Sequence, residues 1–308
     1  MREVDVLVVG AGPAGSTAAR RLAERGHSVL VLEEHGRVGY PVQCAGLVSQ
    51  RVLDLAGSTE FVRTPVRGAA VYGPSLGSVS FRAPQARAFV IDRAGLDVYL
   101  ADRAARAGAE ILTATRFDRV VRRDVGRTVI SATGPGEVPV EVAARLVVGA
   151  DGVGSAVARA FRLRRPVEIL PAFEAEFPRS PGDPEAVEVY LGRRFAPGLF
   201  GWWIPDGSGG ARVGLAADAD GTSARAYFGH LLDYLARRFG SRLQNPTAYL
   251  VSGIPIGSVP RTSADGVMLV GDAAAQVKPL SGGGIFTGMR CAEILATVAD
   301  AALRAGDL

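Results

Sequence analysis

Glycines at positions 10, 12 and 15 and an acid at position 33 are the first residues whose types and spacing could do chemistry. They stand as Gly10-Ala11-Gly12-Pro13-Ala14-Gly15, after the apolar run Val4 to Val9. Glycine at 10 permits a tight turn, at 12 lets the backbone approach a pyrophosphate, and at 15 lets a helix pack closely on a sheet. A helix that starts there offers free N–H groups and its positive dipole end to the phosphates. Glu33 follows a second apolar run, Val29 to Leu32, and lies 18 residues after Gly15. A carboxylate there can accept from both ribose hydroxyls and repels a 2′-phosphate, so the pattern fits FAD or NAD and not NADP. Glu34 is a second acid that could hold the ribose.

Three further groups decide between those two cofactors. Arg93 opens a helix as Asp92-Arg93-x-x-Leu96-Asp97. Gly149-Ala150-Asp151-Gly152 follows the apolar run Leu146–Val148, and Gly271-Asp272 follows Val267–Val270. The last two put an acid and glycines at the carboxyl end of a strand, where open α/β sheets bind ligands. Asp272 is expected at a helix start, capping it and accepting from a ribityl hydroxyl. Gly282-Gly283-Gly284, before a long alanine-rich helix from Ile285, offers backbone N–H groups to an anion.

These residues need a scaffold. Val4–Val9, a helix over Ser16–Arg25 and Val29–Leu32 make a βαβ unit, with Gly26 as the helix stop. A helix over 93–107 and buried strands at Leu146–Gly149 and Val267–Val270 continue the same architecture. From about Pro166 to Gly257 alternation replaces continuous apolar runs, as in an antiparallel sheet with one wet face. One helix, Ser223 to Phe239, interrupts it. The expected fold is α/β plus β. A Rossmann-like FAD-binding domain, discontinuous over 1–65, 92–160 and 258–308, carries an antiparallel-sheet substrate domain from 66–91 and 161–257.

With these motifs in order, the chain resembles the FAD-dependent hydroxylase-type, glutathione-reductase-like flavoproteins. Within them it is most similar to the geranylgeranyl reductase family. Four segments carry the closer likeness: Pro41-Val42-Gln43-Cys44-Ala45-Gly46, Phe200-Gly201-Trp202-Trp203-Ile204-Pro205, Val213-Gly214-Leu215, and Pro279-Leu280-Ser281-Gly282-Gly283-Gly284-Ile285. Ile204 stands where the family usually has Phe, and Phe200 where it usually has Tyr. The resemblance implies FAD as cofactor, with Gly10, Gly12, Pro13, Ala14, Gly15, Glu33, Glu34, Arg37, Cys44, Ala45, Gly46 and Arg93 around it. Asp151, Gly152, Gly271, Asp272, Pro279, Gly282, Gly283, Gly284 and Ile285 complete that set. It implies that the glycine loop faces the flavin's pyrimidine edge. It puts Cys44 near the isoalloxazine ring, as a proton donor or as a small packed residue.

Alternation sends Phe200, Trp202 and Ile204 to one face of their strand, as a wall for an apolar substrate, and Trp203 to the other. A buried Trp202 indole needs an acceptor. The implied reaction is reduction of carbon–carbon double bonds in a prenyl lipid by hydride from reduced FAD. A flavin hydroxylase of an apolar substrate and a non-enzymatic FAD-binding protein stay open beside it. Family members usually run roughly 80 residues further than Leu308, a segment of substantial size. The end at Leu308 therefore leads us to expect an apolar cleft beside Phe200 and Trp202 that is more open.

Other classes fit poorly. The net charge of +4 is spread along the chain without a basic run, which argues against nucleic acid. The histidines His27, His35 and His230 have no metal-ligand spacing. Cys44 and Cys291 lie far apart, so a reducing, cytoplasmic chain is expected and a disulfide reductase is not. No second glycine fingerprint occurs between a strand and a helix, so the electron donor binds transiently, as NAD(P)H or a reduced redox protein. Lys278 is the only lysine and falls outside the segment where a flavin halogenase needs one. No apolar run spans a membrane, so peripheral contact is expected with a prenyl substrate. No oligomeric state is implied.

Overall fold

The computed structural model describes residues 1–75, 77–164, 168–179, 181–218, 223–240 and 245–308. Pro166, where the sequence pattern changes, lies outside them. The chain divides into two compact units. Unit 1 is Met1–Pro41, Ala94–Glu168 and Pro255–Leu308, and unit 2 is Val42–Arg93 and Ile169–Ile254.

In unit 1 the strand Arg2–Val9 lies between Val29–Leu32 and Pro139–Gly149, parallel to both. Val267–Leu269 and Glu110–Leu112 extend the parallel sheet on either side. Val6 and Val8 enter one core with the helices Pro13–Ala23 and Ile285–Ala305, while Leu7 and Val9 enter the other. That double burial is why the strand reads as continuous apolar sequence. The first helix starts at Pro13 and not at Ser16, because proline at N1 already has the helical φ and has no N–H to lose. The strand expected at Leu146–Gly149 is the second half of a longer one, Pro139–Gly149. Its first half also pairs antiparallel with Arg127–Thr133.

Unit 2 is built on a seven-stranded sheet. Glu168–Phe177, Ala211–Ala216, Phe200–Pro205 and Ala186–Tyr190 pair antiparallel in that order. Ala186–Tyr190 then pairs in parallel with Gly68–Tyr72, so the sheet is mixed. The helix Ala224–Phe239, capped by the Ser223 hydroxyl accepting from the Ala226 N–H, packs on one face around Trp203, Val213 and Leu215. A small sheet of Leu47–Val48, Ala88–Ile91 and Val62–Val66 adds Val66 and Val90 to a cluster with Val187 and Ile204. Residues 42–65, assigned in the sequence reading to the nucleotide-binding domain, cluster with unit 2. The reason is that Val62–Val66 and Leu47–Val48 both pair with Ala88–Ile91.

Candidate functional site

Unit 1 brings the three glycine-and-acid motifs to one end of its sheet. Gly10 has φ +101°, and a Cβ there would overlap the carbonyl oxygen of Ala150. A Cβ at Gly15 would overlap the Gly10 carbonyl. Gly271, φ +69°, would place a Cβ 3.1 Å from the Ala14 methyl, and Gly288 of the last helix sits against the same pair. At Gly12 a Cβ would meet nothing within 4 Å. Four of these glycines thus serve close packing, and Gly12 alone among them faces open space at the N-terminus of Pro13–Ala23. Open space at a helix N-terminus suits an anion, because the free N–H groups there are donors.

The carboxylates around this cradle are already engaged. Glu33 is 9% exposed; its Oε2 accepts from the Ala11 N–H at 3.0 Å, and its Oε1 accepts from the His35 N–H at 2.9 Å. His35 Nδ1 lies 2.8 Å from the same Oε1. Glu33 therefore ties the glycine loop to the end of the second strand. Asp151 Oδ1 accepts from the Ser155 hydroxyl at 2.7 Å, and its Oδ2 accepts from the Val157 N–H at 3.0 Å, beside the Ser155 cap of the short helix Ala156–Ala160. Asp272 was expected to cap a helix. It lies instead inside the short 3-10 turn Gly271–Ala274, whose N-cap is Val270, and that cap has no side-chain bond. Its carboxylate borders Gly284, where a Cβ would be 2.8 Å from Oδ1, because the glycine loop folds back over the turn.

Gln276, which the sequence reading missed, stabilises that fold-back. Its Oε1 accepts from the Gly271 N–H at 2.8 Å, and its carbonyl accepts from the Thr287 hydroxyl. The Gly282 N–H donates to the Lys278 carbonyl at 2.9 Å and the Lys278 N–H to the Gly283 carbonyl at 3.2 Å, closing the loop. Pro279 is exposed, and Ile285 begins the last helix. On the Glu33 side, a cavity of about 300 Å³ is bounded by Glu34, His35, Ala114 and Arg116. Ala114 holds φ +49°, an uncommon conformation for alanine, with its N–H donating to the His35 carbonyl at 2.9 Å. The exposed Arg37 stacks its guanidinium over the Tyr40 ring at 4.4 Å.

Unit 2 carries the aromatic strand and the cysteine loop. Trp202 Nε1–H donates to Glu174 Oε2 at 2.8 Å, which supplies the required acceptor. Glu174 and Trp202 both lie opposite Gly214, on strands flanking it. The indole crosses Gly214, where a Cβ would be 2.6 Å from Trp202 Cζ2. Glu174 is 3% exposed, and burial pushes its carboxyl up to about 7 against the opposing pull of the Trp202 hydrogen bond and the Arg212 charge. Phe200 packs edge-on against Trp202 and both are half-buried, whereas Ile204 is 4% exposed within the Val66, Val90 and Val187 cluster. Cys44 is half-buried, and its Sγ accepts from the Gly46 N–H at 3.4 Å. Gly46 accepts from the Ile91 N–H at 2.8 Å, and Ala45 accepts from Arg212 Nη1 at 3.0 Å. Arg93 opens the helix Arg93–Arg106.

The family model for the FAD binding domain matches residues 3–172. The chain is 38% identical to digeranylgeranylglycerophospholipid reductase 2 of Methanothermobacter thermautotrophicus, over 98% of this chain and 79% of that protein. It is 34% identical to the digeranylgeranylglycerophospholipid reductase of Methanocaldococcus jannaschii, over 100% of this chain and 80% of that one. The chain belongs to the geranylgeranyl reductase family of FAD-binding proteins. A geranylgeranyl bacteriochlorophyll reductase-like crystal structure from Thermoplasma acidophilum superposes with a TM-score of 0.91 at 30% identity, covering 100% of this chain and 80% of that one.

FAD is the cofactor of this family member, and the residues present fit it: an open helix N-terminus at Gly12, a closed glycine loop before the last helix, and a buried acid, Glu33, just after the second strand. Gln276 and Ala114 escaped the sequence reading because neither stands in a glycine motif. Arg212 and Glu174 escaped it because an isolated charge in an alternating strand reads as a solvated face.

Proposed function

We propose that this protein reduces carbon–carbon double bonds of a geranylgeranyl-type prenyl lipid. The family relationship over the whole chain carries the reading. When bound, FAD supplies the two-electron reducing equivalent. In this reading Gly12, Pro13 and the first helix N-terminus hold the pyrophosphate, and Gly10, Ala14 and Gly15 give that turn its shape. Glu33 and Glu34 stand at the adenosine ribose, with Arg37 nearby and the adenosine end toward the cavity beside Ala114. Asp151 and Gly152 shape the adjoining strand end. Gly271, Asp272 and the Pro279–Ile285 loop hold the flavin end, where N–H groups favour negative charge. Arg93 and the Cys44–Gly46 loop complete the set, with Cys44 as the candidate proton donor.

On the substrate side, Phe200 and Trp202 keep accessible aromatic surface for an apolar chain. Ile204, on the same face but buried among Val66, Val90 and Val187, supports that wall from its edge. Among the described residues no helix is long and apolar enough to cross a membrane. A nearly insoluble prenyl substrate therefore favours a cytoplasmic protein that touches the bilayer surface peripherally. NAD(P)H or a reduced redox protein serves as donor.

The test is anaerobic reoxidation of the reduced holoprotein by prenyl quinones, alcohols and phospholipids, read as recovery of oxidised-flavin absorbance. Lipid-dependent reoxidation without oxygen is expected, and it excludes a hydroxylase. Trp202→Ala should slow it while flavin content stays unchanged. Absence of reoxidation with every lipid overturns the reductase reading, and equal rates in wild type and variant remove Trp202 from the substrate wall.

A further inference from the structure

We propose that Arg212 is a positioning residue of this site, a guanidinium that fixes the Cys44–Gly46 loop to the sheet face bearing Trp202. The inference rests on the reading of Cys44 and Trp202 as substrate-side residues. Arg212 stands on Ala211–Ala216 between Ile204 and Glu176, its partners on the two flanking strands. Its side chain is 14% exposed, and its Nε lies 3.5 Å from Glu176 Oε1. The far end of the side chain reaches a segment 167 residues away in sequence, where Nη1 donates to the Ala45 carbonyl.

The neighbouring residue is shaped to let it pass. Gly46 has φ +72°, a conformation that disfavours a side chain, and a Cβ there would be 2.5 Å from Arg212 Nη1. Only glycine accommodates both the turn and the guanidinium. Arginine suits the task because its planar fork presents separate N–H groups to separate acceptors.

The same face carries the second wall. Glu174 sits two residues before Glu176, attracts the Arg212 charge, and accepts from the Trp202 indole. Loop and indole are thus referenced to the same pair of strands. Sheet pairing itself is made by backbone, so removing the guanidinium leaves the strands paired. What it releases is the loop, still held on its other side by the Ile91 N–H at Gly46. The expected consequence is a swing of Cys44 and not unfolding.

The experiment uses the full-length FAD-loaded protein carrying Cys291→Ser, so that Cys44 is the only thiol, and measures its alkylation by iodoacetamide. Arg212→Met should raise the rate by about tenfold, the ratio expected when a hydrogen bond from a charged donor is lost. Arg212→Lys keeps one donor for Ala45 and should recover most of the protection. An Arg212→Met rate equal to the parent's overturns the proposal. So does an Arg212→Lys rate as high as that of Arg212→Met, which assigns the effect to packing. If Arg212→Met does not fold, Arg212→Gln takes its place against Arg212→Lys and is read in the same way. No lipid takes part in this readout. A protected Cys44 that opens on mutation, in a protein no prenyl lipid reoxidises, keeps the clamp and removes the reductase reading; the converse result keeps the reductase reading and removes the clamp.

Discussion

Glu33, just past a strand end in unit 1, and Glu174, within a strand in unit 2, are both buried acids, yet they are satisfied in opposite ways. Glu33 accepts from two backbone N–H groups and faces a histidine ring nitrogen, all within the loops at its own strand end. Glu174 accepts from one indole on a strand two places away, and burial raises its proton affinity. The first arrangement is backbone chemistry, suited to a cofactor whose phosphates and ribose are the same in every protein. The second is side-chain chemistry, suited to a wall that must match one substrate. A polar group inside a protein is stable only when paired, and the two units pair theirs by different means.

The largest expected effect separates packing glycines from the ligand glycine. Gly15→Val drives a side chain into the Gly10 backbone and should cost about 3 kcal/mol or more, seen as a fall in unfolding midpoint. At Gly12 an added Cβ meets no non-neighbouring atom within 4 Å, so Gly12→Val should fold normally and lose the yellow flavin absorbance. A Gly12→Val protein with full flavin would break the assignment of that space to the pyrophosphate.

Next comes the pH dependence of Glu174. Its carboxyl rises from 4.5 in the unfolded chain to about 7 in the fold, so the folded state binds the proton more tightly. The associated stability is fully present below pH 4.5 and is lost as pH rises through about 7. A shift of that size corresponds to roughly 3 kcal/mol. Urea denaturation at pH 5 and pH 8 should show a loss in wild type that Glu174→Gln largely removes. Equal pH dependence in both proteins would make Glu174 as ordinary as a surface acid.

Glu33→Ala strands its donors and should weaken FAD by roughly 1.5–3 kcal/mol, measured by flavin titration of the apoprotein. An unchanged constant would shift the ribose contact to Glu34. The smallest effect is Gly214→Ala, expected to cost about 1–2 kcal/mol as the indole leaves its seat. Tryptophan emission should shift as Nε1 loses Glu174, and an unshifted spectrum would show that the indole tolerates the methyl.

Much of unit 1 was legible in sequence, because Val6 to Val9, Gly10 and Gly15 are constrained by neighbours a few residues away. The nucleotide-domain boundary was less so. Residues 42–65 carry no signal of the strand they pair with, and only the pairing to Ala88–Ile91 draws them into unit 2. Asp272 shows the same limit: an acid after a strand reads as a helix cap, but the cap position falls to Val270 once the glycine loop folds over the turn.

Alternation in Phe200–Pro205 correctly divides Trp202 from Trp203, since side chains on a strand point to opposite faces whatever the partner. The sequence by itself thus determined the dinucleotide turn and the two faces of the aromatic strand, both properties of local backbone geometry, and its motifs carry the family resemblance that implies FAD. Tertiary structure decided that Glu174 meets Trp202 over Gly214, that Arg212 reaches Ala45, and that Gln276 holds Gly271 to the last helix. Strand order and register choose which same-face residues become neighbours, and loop closure chooses which distant backbone they meet. Both depend on the collective packing of segments far apart in the chain, to which no single segment's pattern refers.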